Sequence, residues 1–102
     1  MPKRKEEIND YLLGIVRNLP EGPGVYQYLN DKKKIIYVGK AKNLKRRVSS
    51  YFNKEQSSYK TKILVTKIAD IRYIVVNTEE DALLLENNLI KKYKPHYNVR
   101  LS

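Results

Sequence analysis

Apolar residues along the chain fall into short clusters whose spacing switches between a helical and a strand period. Ile8, Tyr11, Leu12, Ile15, Val16 and Leu19 recur at three- and four-residue steps, which predicts an amphipathic helix ended by Pro20. Glu21-Gly22-Pro23-Gly24 then breaks the chain with turn residues. Val25 to Asn30 and Lys34 to Gly39 are β-branched and aromatic runs, and Asn30-Asp31-Lys32-Lys33 between them predicts a hairpin. Asn43 is placed to cap a helix through about Phe52, with Leu44, Val48, Tyr51 and Phe52 as its apolar stripe. Ser57 or Ser58 opens a further helical stretch to about Ala69, and Ile71 to Asn77 predicts a strand. Thr78 and Asp81 form a capping pair for a last helix running to about Lys92, stopped by Pro95, and His96 to Leu101 is expected to be extended. The order predicts an α+β fold, a small, mostly antiparallel three-stranded sheet flanked by helices, as one domain over residues 1–102.

Charge adds to this picture because it is unevenly placed. The 102 residues hold 21 Lys and Arg against 11 Asp and Glu, a net charge of +10. Residues 37–62 carry most of the excess in Lys40, Lys42, Lys45, Arg46, Arg47, Lys54, Lys60 and Lys62, opposed by Glu55 alone. Segregation of this kind is expected of a footprint for a polyanion, of which nucleic acid is the commonest, although a solvated helical surface is also rich in lysine. Zero Cys excludes disulfides and thiolate metal sites. No apolar stretch approaches the length of a membrane span or signal peptide, so a soluble, cytoplasmic domain is expected.

Three features exceed what folding requires. On a helical wheel at ~100° per residue, Ala82, Leu83, Leu89, Ile90 and Tyr93 lie within about 60° of Glu86. A carboxylate at the centre of an apolar stripe needs a partner, a proton or a cation. A buried salt bridge, or a core face rotated toward Leu85 that leaves Glu86 at its edge, are the structural alternatives. The second feature is tyrosine usage: Tyr26 and Tyr37 share a sheet face, opposite or diagonal, if the hairpin loop has an even number of residues. The third is Arg47, which borders its helix's apolar stripe one turn before Tyr51, either as a snorkelling surface residue or as a fork for phosphate. Other chemistry is excluded. The single His96 supports neither a zinc site nor a histidine dyad, and no nucleophilic triad can be assembled. Gly22-Pro23-Gly24 lacks the Lys-Ser/Thr pair of a phosphate-binding loop.

Gly24-Val25-Tyr26 followed by Tyr37-Val38-Gly39 resembles the paired signature of the GIY-YIG nuclease superfamily, with Val in place of Ile in both triplets. The continuation Lys40-Ala41-Lys42-Asn43-Leu44-Lys45-Arg46-Arg47-Val48, then Ser50-Tyr51-Phe52, is similar to the UvrC branch of that superfamily. So are Glu79 to Lys91 and Pro95-His96-Tyr97-Asn98-Val99, and the resemblance covers about residues 19–101. It implies hydrolysis of a DNA phosphodiester with one divalent cation, Mg²⁺ or Mn²⁺. By the same resemblance Glu86 is the metal ligand and Arg47 holds the scissile phosphate. Tyr37 is the base for the attacking water or a relay for its proton, its ionisation eased by nearby cations such as Lys40 and Arg47. Tyr26 and Tyr51 orient water and phosphate, Asn98 braces the site, and Lys40 and Gly39 match an active-site and a signature position. Lys40, Lys42, Lys45, Arg46, Arg47, Lys60 and Lys62 are the expected DNA contacts. The branch further implies 3′-side incision of damaged duplex after loading by UvrB, within a multidomain protein from which this chain looks excised and acts as a monomer. A non-catalytic nucleic-acid-binding module and a stand-alone structure-selective endonuclease are the alternatives.

Overall fold

The computed structural model describes residues 5–53 and 58–101, the last two without their side chains, so Lys54, Glu55 and the cap candidate Ser57 lie outside the described residues. The elements are α1 (Lys5–Arg17), β1 (Gly24–Leu29), β2 (Ile35–Ala41), α2 (Leu44–Tyr51), α3 (Tyr59–Lys67), β3 (Asp70–Val75), α4 (Glu79–Tyr93) and α5 (His96–Leu101). The predicted caps form: Asn43 Oδ1 accepts from Arg46 N, Ser58 Oγ from Thr61 N and Thr78 Oγ1 from Asp81 N. Two more N–H groups at the start of α2 are satisfied by the preceding turn, Leu44 N donating to Gly22 O and Lys45 N to Pro20 O. Those bonds fix the Gly-Pro-Gly turn to the helix that follows the hairpin.

The sheet is fully antiparallel in the order β2-β1-β3, so β2 and β3 are both edge strands. One face packs on α1, α2 and α3 through Leu12, Val16, Leu44, Val48, Tyr51 and Leu64. The other packs on α4, where Val25 and Val38 meet Ala82, with Leu85, Leu89 and Ile90 half-buried around them. Tyr26 lies opposite Gly39, and Tyr28 opposite Tyr37, which puts Tyr26 and Tyr37 diagonally on one face. Both signature glycines are demanded by space rather than by backbone angle. A Cβ on Gly39 would stand 2.3 Å from Tyr26 Cζ, and one on Gly24 2.4 Å from the carbonyl oxygen of Ile74. Tyr26 therefore lies across Gly39 in a way no other residue permits.

The tail departs from expectation, forming helix α5 where extended chain was predicted. Pro95, buried immediately before the first helical residue, suits a helix start, and Asn98 N donates to its carbonyl at 3.2 Å. Among the described residues no helix is long and apolar enough to cross a membrane.

Burial of phenols inside the sheet–helix layer has a consequence for stability. Tyr26 is pushed up to about 12 by burial, against the opposing hydrogen bond from Tyr51. Burial also holds Tyr28 well above its ordinary 10.0. Both stay neutral in the fold at a pH where the unfolded chain has lost those protons, so their stabilising contribution is intact below pH 10 and lost as pH rises beyond it. The expected loss is about 1.4 kcal/mol per pH unit for each such tyrosine. Urea unfolding at constant ionic strength should show a flat stability from pH 8 to 9.5 and a steep fall from 10 to 12. A flat curve through pH 11.5 would contradict this burial.

Candidate active site

The outer edge of β2 organises the site. Val38 and Lys40 turn their N–H groups away from β1, and each meets a side chain instead of a strand. Val38 N donates to Asn98 Oδ1 at 2.9 Å, and Asn98 Nδ2 donates back to Val38 O at 2.8 Å. Asn98 thus occupies both outward polar groups of one residue, as a neighbouring strand would. Two residues on, Lys40 N donates to Glu86 Oε2 at 2.9 Å. Helices α5 and α4 are in this way tied to consecutive outward positions of the strand that carries Tyr37.

Glu86 is half-buried: Ala82 is its helix's buried position, whereas Leu83 and Tyr93 are 46% and 42% exposed. Leu85, Leu89 and Ile90 pack inward with Ala82, so Glu86 lies between Ala82 and Ile90 on the inward face, with no salt bridge to it among the described residues. Its Oε1 has no hydrogen-bond partner there either. A hard carboxylate oxygen held beside a strand edge fits a divalent ion that keeps most of its waters, as Mg²⁺ does. Among the described residues there is no group of three or more His, Cys, Asp or Glu that could hold a metal.

On the sheet face beneath α2, four tyrosine rings pack together. Tyr26 and Tyr51 share a hydrogen bond of 2.7 Å between hydroxyls. Tyr37 lies 6.3 Å from Tyr26 and 6.2 Å from Tyr51 between ring centroids. Arg47, one turn before Tyr51 on α2, sets its guanidinium carbon 5.1 Å from the Tyr51 ring centroid, with Nη2 3.5 Å from the Tyr51 hydroxyl. The ring fixes the direction of a charge that is otherwise exposed. The fourth ring is Tyr28, which sequence reasoning passed over. It is fully buried, 5.2 Å from Tyr26 and 5.1 Å from Tyr51, and its hydroxyl has no hydrogen-bond partner among the described residues. The signal for it was there: two residues after Tyr26 in a strand, it must share that face.

Electrostatics corrects the expectation for Tyr37. Burial, the largest cause, and its neighbour Tyr51 raise its phenol far above 10.0, and Glu86 adds to the rise. Arg47 pulls the other way with less effect, and Lys40 is an exposed side chain. Burial and the Tyr26 neighbour likewise raise Tyr51. Without a bound cation the cluster is a set of neutral hydroxyls.

The structure brings Tyr26, Tyr37, Arg47, Tyr51, Glu86 and Asn98 onto or beside β2, with Gly39 and Lys40 in the strand itself. It does not gather all the predicted DNA contacts. Lys45 and Arg46 lie on α2 beside Arg47, whereas Lys60 and Lys62 project from α3 as exposed side chains. Lys42 pairs with Glu79 at 3.6 Å, an exposed bridge worth ~0–1 kcal/mol. His96 is exposed and edge-on to Tyr97.

Known proteins are similar to this chain in sequence and fold. The sequence profile of the UvrC-like GIY-YIG domain matches residues 22–99. The UvrABC system protein C of Bacteroides thetaiotaomicron is 78% identical over 93 residues, which is 91% of this chain and 15% of that protein. Its counterpart in Porphyromonas gingivalis is 63% identical over 92 residues, 90% of this chain and 15% of that protein. The chain thus spans about 15% of the length of the curated relatives it matches. The GIY-YIG N-terminal endonuclease domain of UvrC from Thermotoga maritima, solved bound to its catalytic divalent cation, magnesium, superposes with a TM-score of 0.76 at 40% identity. That match covers 92% of this chain and 98% of the other. With the family profile matching residues 22–99, and with these identities and this superposition, the chain belongs to the UvrC-like GIY-YIG family.

Proposed function

We propose that residues 1–102 form a divalent-metal-dependent DNA endonuclease domain that hydrolyses a phosphodiester on the 3′ side of a lesion in nucleotide excision repair. The observation that carries this reading is the convergence of one half-buried carboxylate, one ring-braced guanidinium and a set of neutral phenols on a single strand edge. The names of the relatives support it, and damaged duplex, the loading protein UvrB and a cytoplasmic location belong to the same reading.

Glu86 Oε1 would hold Mg²⁺ or Mn²⁺, which when bound supplies positive charge against the phosphate oxygens as the bond breaks. Arg47 aims its guanidinium at the nonbridging oxygens and stabilises charge that grows on them in the transition state. Its bracing by Tyr51 means that little reorganisation is needed as that charge develops. Tyr37, neutral because it is half-buried, serves as a relay: its oxygen takes the attacking water's proton as its own hydroxyl proton passes to a solvent water, and the leaving oxygen takes a proton from solvent. Tyr26 and Tyr51, tied to each other, keep the Tyr37 ring and Arg47 in place. Lys40 adds an exposed ammonium to the phosphate's surroundings, and Asn98 is a positioning residue that fixes β2 on α5. Lys45 and Arg46 extend the contact along the DNA backbone, joined by Lys42 only where it leaves Glu79.

Two substitutions separate the roles of Glu86. Glu86→Gln keeps an oxygen to accept from Lys40 N but removes the charge, while Glu86→Ala removes both. In a nicking assay with Mn²⁺ on lesion-bearing duplex, with and without UvrB, both variants should lose cutting by at least about 100-fold with unfolding curves close to wild type. Wild-type cutting by Glu86→Gln would assign Glu86 to structure alone. Tyr37→Phe should lower the single-turnover rate by about 10²-fold while leaving the shape of its pH profile below pH 10 as in wild type. An unchanged rate would remove Tyr37 from the proton path.

A further inference from the structure

Beside the site runs an open groove of about 1290 Å³, walled by α1, the hairpin turn, the end of α2, α3 and the start of α5. That exceeds the ~300–1,000 Å³ usual for a small-molecule pocket and suits a polymer. Its wall is basic from three directions: Lys5 on α1, Lys32 and Lys34 at the hairpin, Lys62 and Lys67 on α3. All five side chains are exposed, and Asp31 is the single acid among the lining residues. Four of the five lie outside the basic stretch 37–62, so this charge is assembled by the fold and is invisible along the sequence. Three aromatic side chains, Phe52, His96 and Tyr97, share the wall with the lysines. Tyr51 also lines the groove while its hydroxyl bonds Tyr26 in the cluster, so groove and site share a wall.

Charge selects a polyanion, and the aromatic rings select one with exposed planar faces. Bases paired in a duplex are already stacked on one another, whereas unpaired bases can be met by a ring, and lysines with aromatic side chains are the usual makings of a single-strand groove. An acidic peptide would match only the charge. We propose that this groove binds a single-stranded stretch of the DNA next to the bond that is cut, its phosphates along the lysines and its bases against Phe52, His96 and Tyr97. The proposal rests on the endonuclease reading for the identity of the strand.

The test pairs wild type with Lys34→Glu/Lys67→Glu, two exposed residues outside the catalytic cluster. Fluorescence anisotropy of a labelled twelve-nucleotide oligothymidylate, in EDTA and across a salt series, reads binding without cutting. The expected result is at least a tenfold weaker Kd for the variant, at an unchanged thermal midpoint, and a salt slope smaller by about 1.4, two phosphates at ~0.7 each. Should the reversal lower the midpoint, Lys32→Ala/Lys62→Ala gives the same readout with less charge change. Equal affinity and slope in a folded variant would overturn the groove and leave it to a protein segment. A duplex of the same length bound as tightly, and weakened as much by the variant, would overturn the single-stranded assignment. Metal-dependent nicking by wild type, run in parallel, keeps the two proposals apart. If wild type cuts while the variant binds oligothymidylate unchanged, the groove alone fails. If wild type never cuts but the variant loses binding, the endonuclease reading fails and the groove stands.

Discussion

An edge strand offers unpaired N–H and C=O groups to whatever comes near, and in this domain β2 hands them to two side chains. Asn98 takes both outward groups of Val38, and Glu86 takes the outward N–H of Lys40. This pairing closes the strand to association with another chain. It also fixes the strand that carries Tyr37, Gly39 and Lys40. One oxygen of Glu86 is spent on the strand, which restricts the orientation of the carboxylate.

On the other side of the strand the constraint is volume. Tyr26 can cross to Tyr51 only because Gly39 has no side chain, and a Cβ there would overlap the hydroxyl end of Tyr26. The price of packing four phenols into one layer is a buried Tyr28 hydroxyl with no partner among the described residues and a marked reluctance of Tyr37 to ionise. In the proposed reaction, neutral hydroxyls would suit proton relay and orientation, leaving charge stabilisation to Arg47 and the cation. The same crowding gives Arg47 its bearing, because its guanidinium lies over a ring that cannot move.

Much of this was legible in the residues, and what was hidden has physical causes. Caps at Asn43, Ser58 and Thr78 depend on local hydrogen bonds, so they were readable, as was the hairpin that sets Tyr26 diagonal to Tyr37. Helix α5 was missed because six residues carry too little periodicity to outweigh a proline and a β-branched valine. The wheel set Ala82, Leu89 and Ile90 beside Glu86, and these do turn inward, but it weights all apolar residues alike and so could not show that Leu83 and Tyr93 stay exposed. The packing selects Ala82 and Leu85 and leaves Leu83 and Leu84 outside. The shift of Tyr37 away from ionisation depends on Tyr51 and on burial, neither of which sequence spacing expresses. The lysines of the groove come from three separated segments, and only the fold gathers them.

The account's central claim is that two side chains complete the edge of β2 and so hold the site in register. Amide hydrogen exchange at Val38 and Lys40 measures this directly, in wild type and in Asn98→Ala. The account predicts that both amides exchange slowly in wild type. In the variant Val38 should lose protection by at least about 30-fold, the equivalent of ~2 kcal/mol for one buried bond and its desolvation, while β1 and β3 keep theirs. A Val38 amide that exchanges as fast as an open edge in wild type, or that is untouched by loss of Asn98, would contradict it.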